Sequence, residues 1–502
     1  MVLLFNPRAV GQGSPNYRIP NSILQIAASI HGCHDYHIVD GNRERDSWSQ
    51  IKQSLESGSI KYFGVTVMPG PQLKEAIPIS KQVKALFPEI IIIWGGYFAS
   101  NQSEVILSSG YVDFCINGPG DHAFPTLIQC LEQKESFHQI HNLIYKDEKR
   151  QIIKTPKENL PDQDKLPDLP YRTLDKFYSI EGYLKRTHLG ERTAAYHSSL
   201  GCPFKCSFCA VVPIYEARWR GKSAEKIYRD LKFLKEEYGA DAVEFHDNNF
   251  FVSEQRTVDF CDLIKPEKMH WWGEGRIDTI DRYSDTSLEN MRESGCKMIF
   301  FGAESGNDDL LANMDKGGRQ SGQQILKFAR RISRFEIIPE YSFVLGLPAN
   351  DASEVKRNVQ KEIDFIYRVK EANPKTEIII YVYSPVPTKE SALYKQISNA
   401  GFKFPQNLDD WLTPAWENFD LRKNPLTPWL TPSIVNLIQD FETVIHSYYP
   451  TSTDLRLTRH QRKIMRFVSS WRFRSRVFAL PYELKLLQKF WLKYRQPEWE
   501  GF

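Results

Sequence analysis

The fold class predicted for this chain is α/β: a doubly wound parallel sheet, then a six-stranded partial barrel, then a mainly helical region. Three observations predict it. Residues 1–150 alternate short apolar runs with amphipathic stretches, as strands and helices do in an open parallel sheet. The same rhythm resumes near residue 191, after a proline-rich interruption. From about residue 401 the apolar positions take helical spacing and tryptophan becomes frequent.

In the first segment, strands are placed at 2–5, 62–68, 90–94 and 114–117, with a helical pattern over 72–87. The opening MVLLFNPRAV has no basic region before its apolar run and no small-residue cleavage site behind it, so it reads as a buried strand and not as a signal peptide. Three strands run into turn residues: Pro69-Gly70, Gly95-Gly96 and Gly118-Pro119-Gly120. In a Rossmann-like sheet ligands bind outside the carboxyl ends of the strands, where glycine lets backbone approach closely. These turns are therefore either the rim of a pocket or ordinary strand-to-helix connections.

Residues 151–190 are read as a linker, because KTPKENLPDQDKLPDLP holds four prolines and several charges. Strands then follow at 194–197, 242–246, 270–273, 298–302, 340–346 and 377–383, separated by amphipathic helices such as 223–238, 286–294 and 320–335. Six strands with helical crossovers over 191–400 form a (β/α)6 partial TIM barrel, whose functional groups belong at the carboxyl ends of the strands. Residues 401–502 are expected to be helical and to help close the barrel mouth. They carry Trp411, Trp416, Trp429, Trp471, Trp491 and Trp499. Between Arg456 and Arg476 stand eight Lys or Arg and no Asp or Glu, with Ile464, Phe467, Val468 and Trp471 at helical spacing. This is either a helix with a solvated basic face or one that touches an anionic membrane peripherally.

Composition narrows the classes further. With 502 residues, 41% of them hydrophobic and 25% charged, the chain is long enough for two or three folded domains. A net charge of +3 gives no case for a nucleic-acid partner. No stretch approaches the length of a membrane span, and a cytoplasmic protein is expected. Eight cysteines are too few for a disulfide framework. Cys33, Cys115, Cys130, Cys261 and Cys296 are scattered and read as small buried hydrophobes.

The other three stand together in Gly201-Cys202-Pro203-Phe204-Lys205-Cys206-Ser207-Phe208-Cys209, after a predicted strand. A zinc site would want a fourth ligand, usually in a second pair at matching spacing, and no such pair follows. An iron-sulfur cluster held by three thiolates instead leaves one iron open. This spacing, with the aromatic Phe208 before the last cysteine, resembles the signature of the radical S-adenosylmethionine (radical SAM) superfamily. The resemblance implies that Cys202, Cys206 and Cys209 bind a [4Fe-4S] cluster, whose open iron chelates S-adenosylmethionine and whose electron cleaves it to a 5'-deoxyadenosyl radical. It further implies that Phe208 and polar groups at later strand ends bind S-adenosylmethionine: Asp247 and Asn248 at the amino group, Arg276 at the carboxylate, and Glu304 with Ser305 at the ribose. Lys316-Gly317 and the FVLGLP strand over 343–348 continue that likeness.

The first segment is similar to the cobalamin-binding domain that precedes the radical domain in one branch of this superfamily. On that likeness Thr66, Met68, Pro69, Gly70, Gly95, Gly96, Ser100 and Gly118 would face the corrin. The Asp-x-His-x-x-Gly signature that gives cobalt a lower histidine in many corrinoid proteins is missing, since Asn6-Pro7-Arg8-Ala9-Val10-Gly11 follows the first strand, and His34 and His37 lie elsewhere. Relatives also often carry a glycine before the threonine of Pro385-Val386-Pro387-Thr388. The branch includes cobalamin-dependent methylases of unactivated carbon and the anaerobic magnesium-protoporphyrin cyclase. Methylation is the leading expectation, oxidation or ring formation the alternative, and a metal-stabilised binding protein the remote one. The implied partners are a small-molecule or peptide substrate and an electron donor such as flavodoxin or ferredoxin.

Overall fold

The structure, a computed structural model, describes residues 1–11, 17–316, 320–420, 426–451, 453, 455 and 457–491. Gly317, Arg456 and Trp499 lie outside the described residues. The first sheet contains β1 (Val2–Asn6), β2 (Tyr36–Asp40), β3 (Tyr62–Thr66), β4 (Ile91–Gly95), β5 (Phe114–Ile116), β6 (Leu143–Lys146) and β7 (Ile152–Lys154), in the order β2-β1-β3-β4-β5-β6-β7. The pairs from β2 to β5 are parallel, and β6 and β7 add an antiparallel edge.

The continuous apolar run of β1 follows from burial on both faces. Val2 and Leu4 pack with helices Asn21–Ile30 and Ala123–Gln133. Leu3 and Phe5 point the other way, into the core formed with Ser47–Glu56, Leu73–Leu86 and Tyr97–Ser108.

The second sheet is built from β8 (Thr193–Tyr196), β11 (Ala242–Phe245), β12 (His270–Gly275), β13 (Cys296–Glu304), β14 (Ile338–Leu345) and β15 (Glu377–Val382), all parallel and in sequential order. Between β8 and β11 the short strands β9 (Ser199–Gly201) and β10 (Trp219–Gly221) pair antiparallel as a separate ribbon. The crossover helices are capped by the residues their sequences offer. Ser223 accepts from Lys226 N, Ser321 from Gln324 N and Asp351 from Glu354 N, each satisfying a first-turn donor. Val243 and Phe245 lie outward in the shared core with Phe260 and Trp271. Strand alternation then turns Glu244 to the barrel interior, level with Ala195 of β8 and Trp272 of β12.

The segment expected as a linker is ordered between the two sheets. It carries β7 and the helix Tyr171–Phe177, and its Tyr183 hydroxyl donates to Asp40 Oδ2 at 2.7 Å, both residues being buried. Other ties join the sheets directly: Arg18 Nε meets Glu244 Oε2 at 3.0 Å, and Asn21 Nδ2 donates to Ala195 O at 3.0 Å.

After β15 the chain returns to the first domain, where Leu408 and Trp411 join its core and Trp411 sits edge-on to Phe98. Trp429 Nε1 donates to Gly346 O, just past β14, so this part of the C-terminal region does lie at the strands' carboxyl ends. Helices Pro432–Tyr448, Arg459–Ser475 and Tyr482–Phe490 follow, the first packing on Ala352–Ala372 outside the barrel. Among the described residues, no helix is long and apolar enough to cross a membrane.

Candidate active site

The three cysteines sit on the loop that leaves β9, and that loop is clamped from every side. Gly201 begins it with φ +75°, and a side chain there would meet Arg218 O at 2.2 Å, so the turn requires glycine. Ser207 N donates to Met314 O and its Oγ to Asn313 O, while Thr388 Oγ1 donates to Ser207 O at 2.5 Å. Thr388, whose neighbourhood departs from the family pattern, thus holds the cysteine loop from beyond β15.

Burial lifts the Cys202 thiol above its ordinary range and lifts Cys209 to about 12, with the neighbouring Cys206 adding to both. Thiolates so enclosed need positive charge, which a bound metal centre supplies. Among the described residues, no three His, Cys, Asp or Glu side chains converge as ligands of one ion. In an iron-sulfur cluster each thiolate takes a different iron. Two further groups face the loop. Arg276 Nη1 lies 3.2 Å from Cys206 Sγ, with the guanidinium 3.8 Å over the Phe204 ring. Asn249 brings Nδ2 to 4.0 Å from Cys202 Sγ, and its buried Oδ1 has no partner among the described residues.

The polar residues expected at the strand ends take different roles. Asp247 is buried and accepts from Ser198 N, Ser198 Oγ and Ser199 Oγ at 2.5–2.7 Å, so it anchors the entry to β9. Asn248 is exposed. The fork of Arg276 is taken by Asp278, at 2.9 and 3.0 Å, and by Lys316 O at 2.7 Å. Glu304 is buried with φ +65°, a conformation costly for a residue with a Cβ, and pairs with Lys316 Nζ at 3.1 Å. Ser305 Oγ donates to Glu362 Oε1, and Gly306 N donates to Glu362 Oε2 at 2.8 Å. Phe208 is half-buried, with Lys316 Nζ 5.9 Å from its ring centre.

The turn after β5 lies against the segment that follows the cysteine loop, where a side chain on Gly118 would come within 3.6 Å of Ile214 O. Ser100 Oγ donates to Gly96 O at 2.9 Å and accepts from Gly118 N at 3.0 Å, which joins the turns after β4 and β5. Gly70, Gly96 and Gly118 all have positive φ. Met68 is exposed, and its N–H donates to Gln72 Oε1, while Thr66 Oγ1 lies 3.2 Å from Ser22 Oγ. Pro69 and Gly95 are half-buried beside them. Asn101 Nδ2 donates to Ala210 O, the residue after Cys209, and Lys157 Nζ donates to Pro213 O and Ile214 O. Asn101 Oδ1 and Asn117 Oδ1 are buried acceptors with no partner among the described residues. Glycine backbone and orphaned amide oxygens fit a large ligand that brings its own donors. His37 packs against the Phe177 ring on the linker side.

Several residues here escaped the sequence reading. Glu362 lies on a helix 57 residues from Ser305, and no local pattern announces it. Asn249 belongs to the polar segment 247–250 that the sequence marks, but Asp247 and Asn248 were singled out in it. The inward carboxylates were legible in principle, since Glu244 and His246 alternate with Val243 and Phe245. Burial would raise Glu244, but Arg18 and His246 outweigh it and hold the carboxyl at about 2. Glu274 goes the other way: burial, with Asp247 and Glu340 nearby, pushes it up to about 8. Burial and His246 bring His197 down to about 4.

Residues 196–361 match the family described as the Radical SAM superfamily. Over 367 residues the chain is 26% identical to an uncharacterized methyltransferase of Pyrococcus horikoshii, covering 72% of this chain and 76% of that protein. It is 25% identical over 375 residues to the anaerobic magnesium-protoporphyrin IX monomethyl ester cyclase of Synechocystis, covering 69% and 71% respectively. Among solved structures, the cobalamin-dependent S-adenosylmethionine radical enzyme OxsB, with aqua-cobalamin and S-adenosylmethionine bound, superposes on 97% of this chain and 74% of its own, with a TM-score of 0.70 at 16% identity. That last likeness is one of fold.

Proposed function

From the match of residues 196–361 to the Radical SAM superfamily, we propose that the chain is a cobalamin-dependent radical SAM methyltransferase acting on an unactivated carbon. One observation carries the reading: the first domain meets the segment just after Cys209, through Asn101 on the helix after β4, through Lys157, and through the turn at Gly118, where a side chain would come within 3.6 Å of Ile214 O. A corrin on the first surface and a cluster on the second would then share one cavity.

On this reading Cys202, Cys206 and Cys209 hold a [4Fe-4S] cluster. Thr66, Met68, Pro69, Gly70, Gly95, Gly96, Ser100 and Gly118 line the corrin side. Phe208, Asn248, Asn249 and Glu304 face S-adenosylmethionine. Arg276, Asp247 and Ser305 act by positioning, since their polar atoms are already bonded to Asp278, to Ser198 with Ser199, and to Glu362. When bound, cluster and S-adenosylmethionine supply a carbon-centred radical and the corrin a methyl group. The chain's own part is to orient and to exclude water. Arg276 places positive charge beside Cys206, and Phe204 covers that guanidinium. An electron donor such as flavodoxin or ferredoxin and a small-molecule or peptide substrate complete the scheme.

The test is anaerobic reconstitution with iron, sulfide and hydroxocobalamin. The expected results are a retained corrin spectrum, 5'-deoxyadenosine formed on reduction, and label from methyl-labelled S-adenosylmethionine in the product. Cys206→Ala should lose the cluster and the cleavage while still retaining the corrin. Cleavage without corrin or label, and with an oxidised or cyclised product, would replace methylation by the chemistry named for the Synechocystis relative. Bound zinc with no cleavage would overturn the radical reading altogether.

A further inference from the structure

Ten of the fifteen exposed large hydrophobic side chains among the described residues fall within residues 455–491, far more than chance scattering over the surface would place there. On the helix Arg459–Ser475, one side packs inward through Met465, Ser469, Arg472 and Phe473. The opposite side carries Ile464, Phe467 and Trp471 in a single ridge, with Phe467 81% and Trp471 53% exposed. Exposed Lys463 and Arg474 border that ridge. The helix Tyr482–Phe490 repeats the pattern, with Tyr482, Leu486 and Phe490 at four-residue spacing beside Lys489, while Lys485 is held by Asp440 at 2.6 Å. Arg472 locks the two helices together by bonding to Glu483, Ala479 O and Leu480 O.

We propose that this two-helix face docks the protein onto the surface of an anionic lipid bilayer, its aromatic ridges entering the headgroup boundary and its arginines and lysines meeting lipid phosphates. The chemistry selects this occupant. Aromatic and aliphatic side chains bordered by Lys and Arg, on helices that lie along a surface, are what an interface of apolar and anionic layers accepts. A second copy of the chain would set one basic ridge against another and is disfavoured by charge. The face is also remote from the cysteine loop: Arg462, Lys463 and Arg466 line a cavity with Ile338 and Glu377, at the amino-terminal ends of β14 and β15. The docking therefore does not rest on the proposed reaction, and either can fail alone.

The full chain would be sedimented with vesicles of phosphatidylcholine alone and of phosphatidylcholine mixed with phosphatidylglycerol. Retention is expected on the mixed vesicles only, weakening as salt is added. The variant Phe467→Glu/Trp471→Glu should bind at least about tenfold more weakly, with an unchanged melting curve because both side chains face solvent. Three results would each overturn the proposal: no retention on mixed vesicles, equal retention of the double variant, or a dimer in solution that the double variant splits while vesicles bind neither protein.

Discussion

Glu274 is the residue whose charge state departs furthest from that of an ordinary carboxylate. Its place at the inner end of β12, with Asp247 and Glu340 near it, keeps it protonated up to about pH 8. The unfolded chain ionises it near 4.5, so the folded state loses stability as pH climbs from there through about 8, by at most about 1.4 kcal/mol per pH unit from this group. Glu274→Gln, which fixes a neutral side chain of the same shape, should melt a few degrees higher than the parent near pH 8 and converge with it at acid pH. Melting curves across that range check this; a parent curve that parallels the variant at every pH would show that the carboxyl is not buried as described.

Elements carry the geometry that single residues cannot. The β9–β10 ribbon launches the cysteine loop, and Gly201→Ala would drive a methyl group into Arg218 O while leaving φ in the left-handed region. The expected cost is about 1–3 kcal/mol, read as a lower melting temperature and less iron incorporated on reconstitution. This ribbon also marks where sequence legibility stopped. The six barrel strands were readable because apolar runs such as Glu377–Val382 and Ile338–Leu345 end in polar or turn residues and alternate with amphipathic helices, which marks even the four-residue β8 and β11. β9, β10, β6 and β7, three or four residues each, pair antiparallel outside the strand-then-helix rhythm that marked the equally short β5, β8 and β11. The cysteines themselves were plain from spacing. Their supports were not, because Thr388, Met314 and Asn313 reach them across 106 residues or more of chain.

At the scale of the whole molecule, the two sheets are joined by buried polar contacts as well as by apolar ones. Asp40 accepts from Tyr183 and from Asn6, and burial raises its carboxyl in spite of those bonds. Tyr183→Phe leaves one of its oxygens without that donor inside a closed interface, which costs about 1–3 kcal/mol. The variant should melt a few degrees lower and be nicked sooner by protease within residues 155–190; an unchanged digestion pattern would mean that the sheets are held together elsewhere.

The hydroxyl of Thr388 that grips the carbonyl of Ser207 spans 181 positions of chain. A ribosome releases the cysteines long before it releases their last clasp. Loading of iron and sulfide should therefore wait for the fifteenth strand to dock, making the metal centre one of the final acts of maturation, with the thiols held by a complete barrel and not by a growing one.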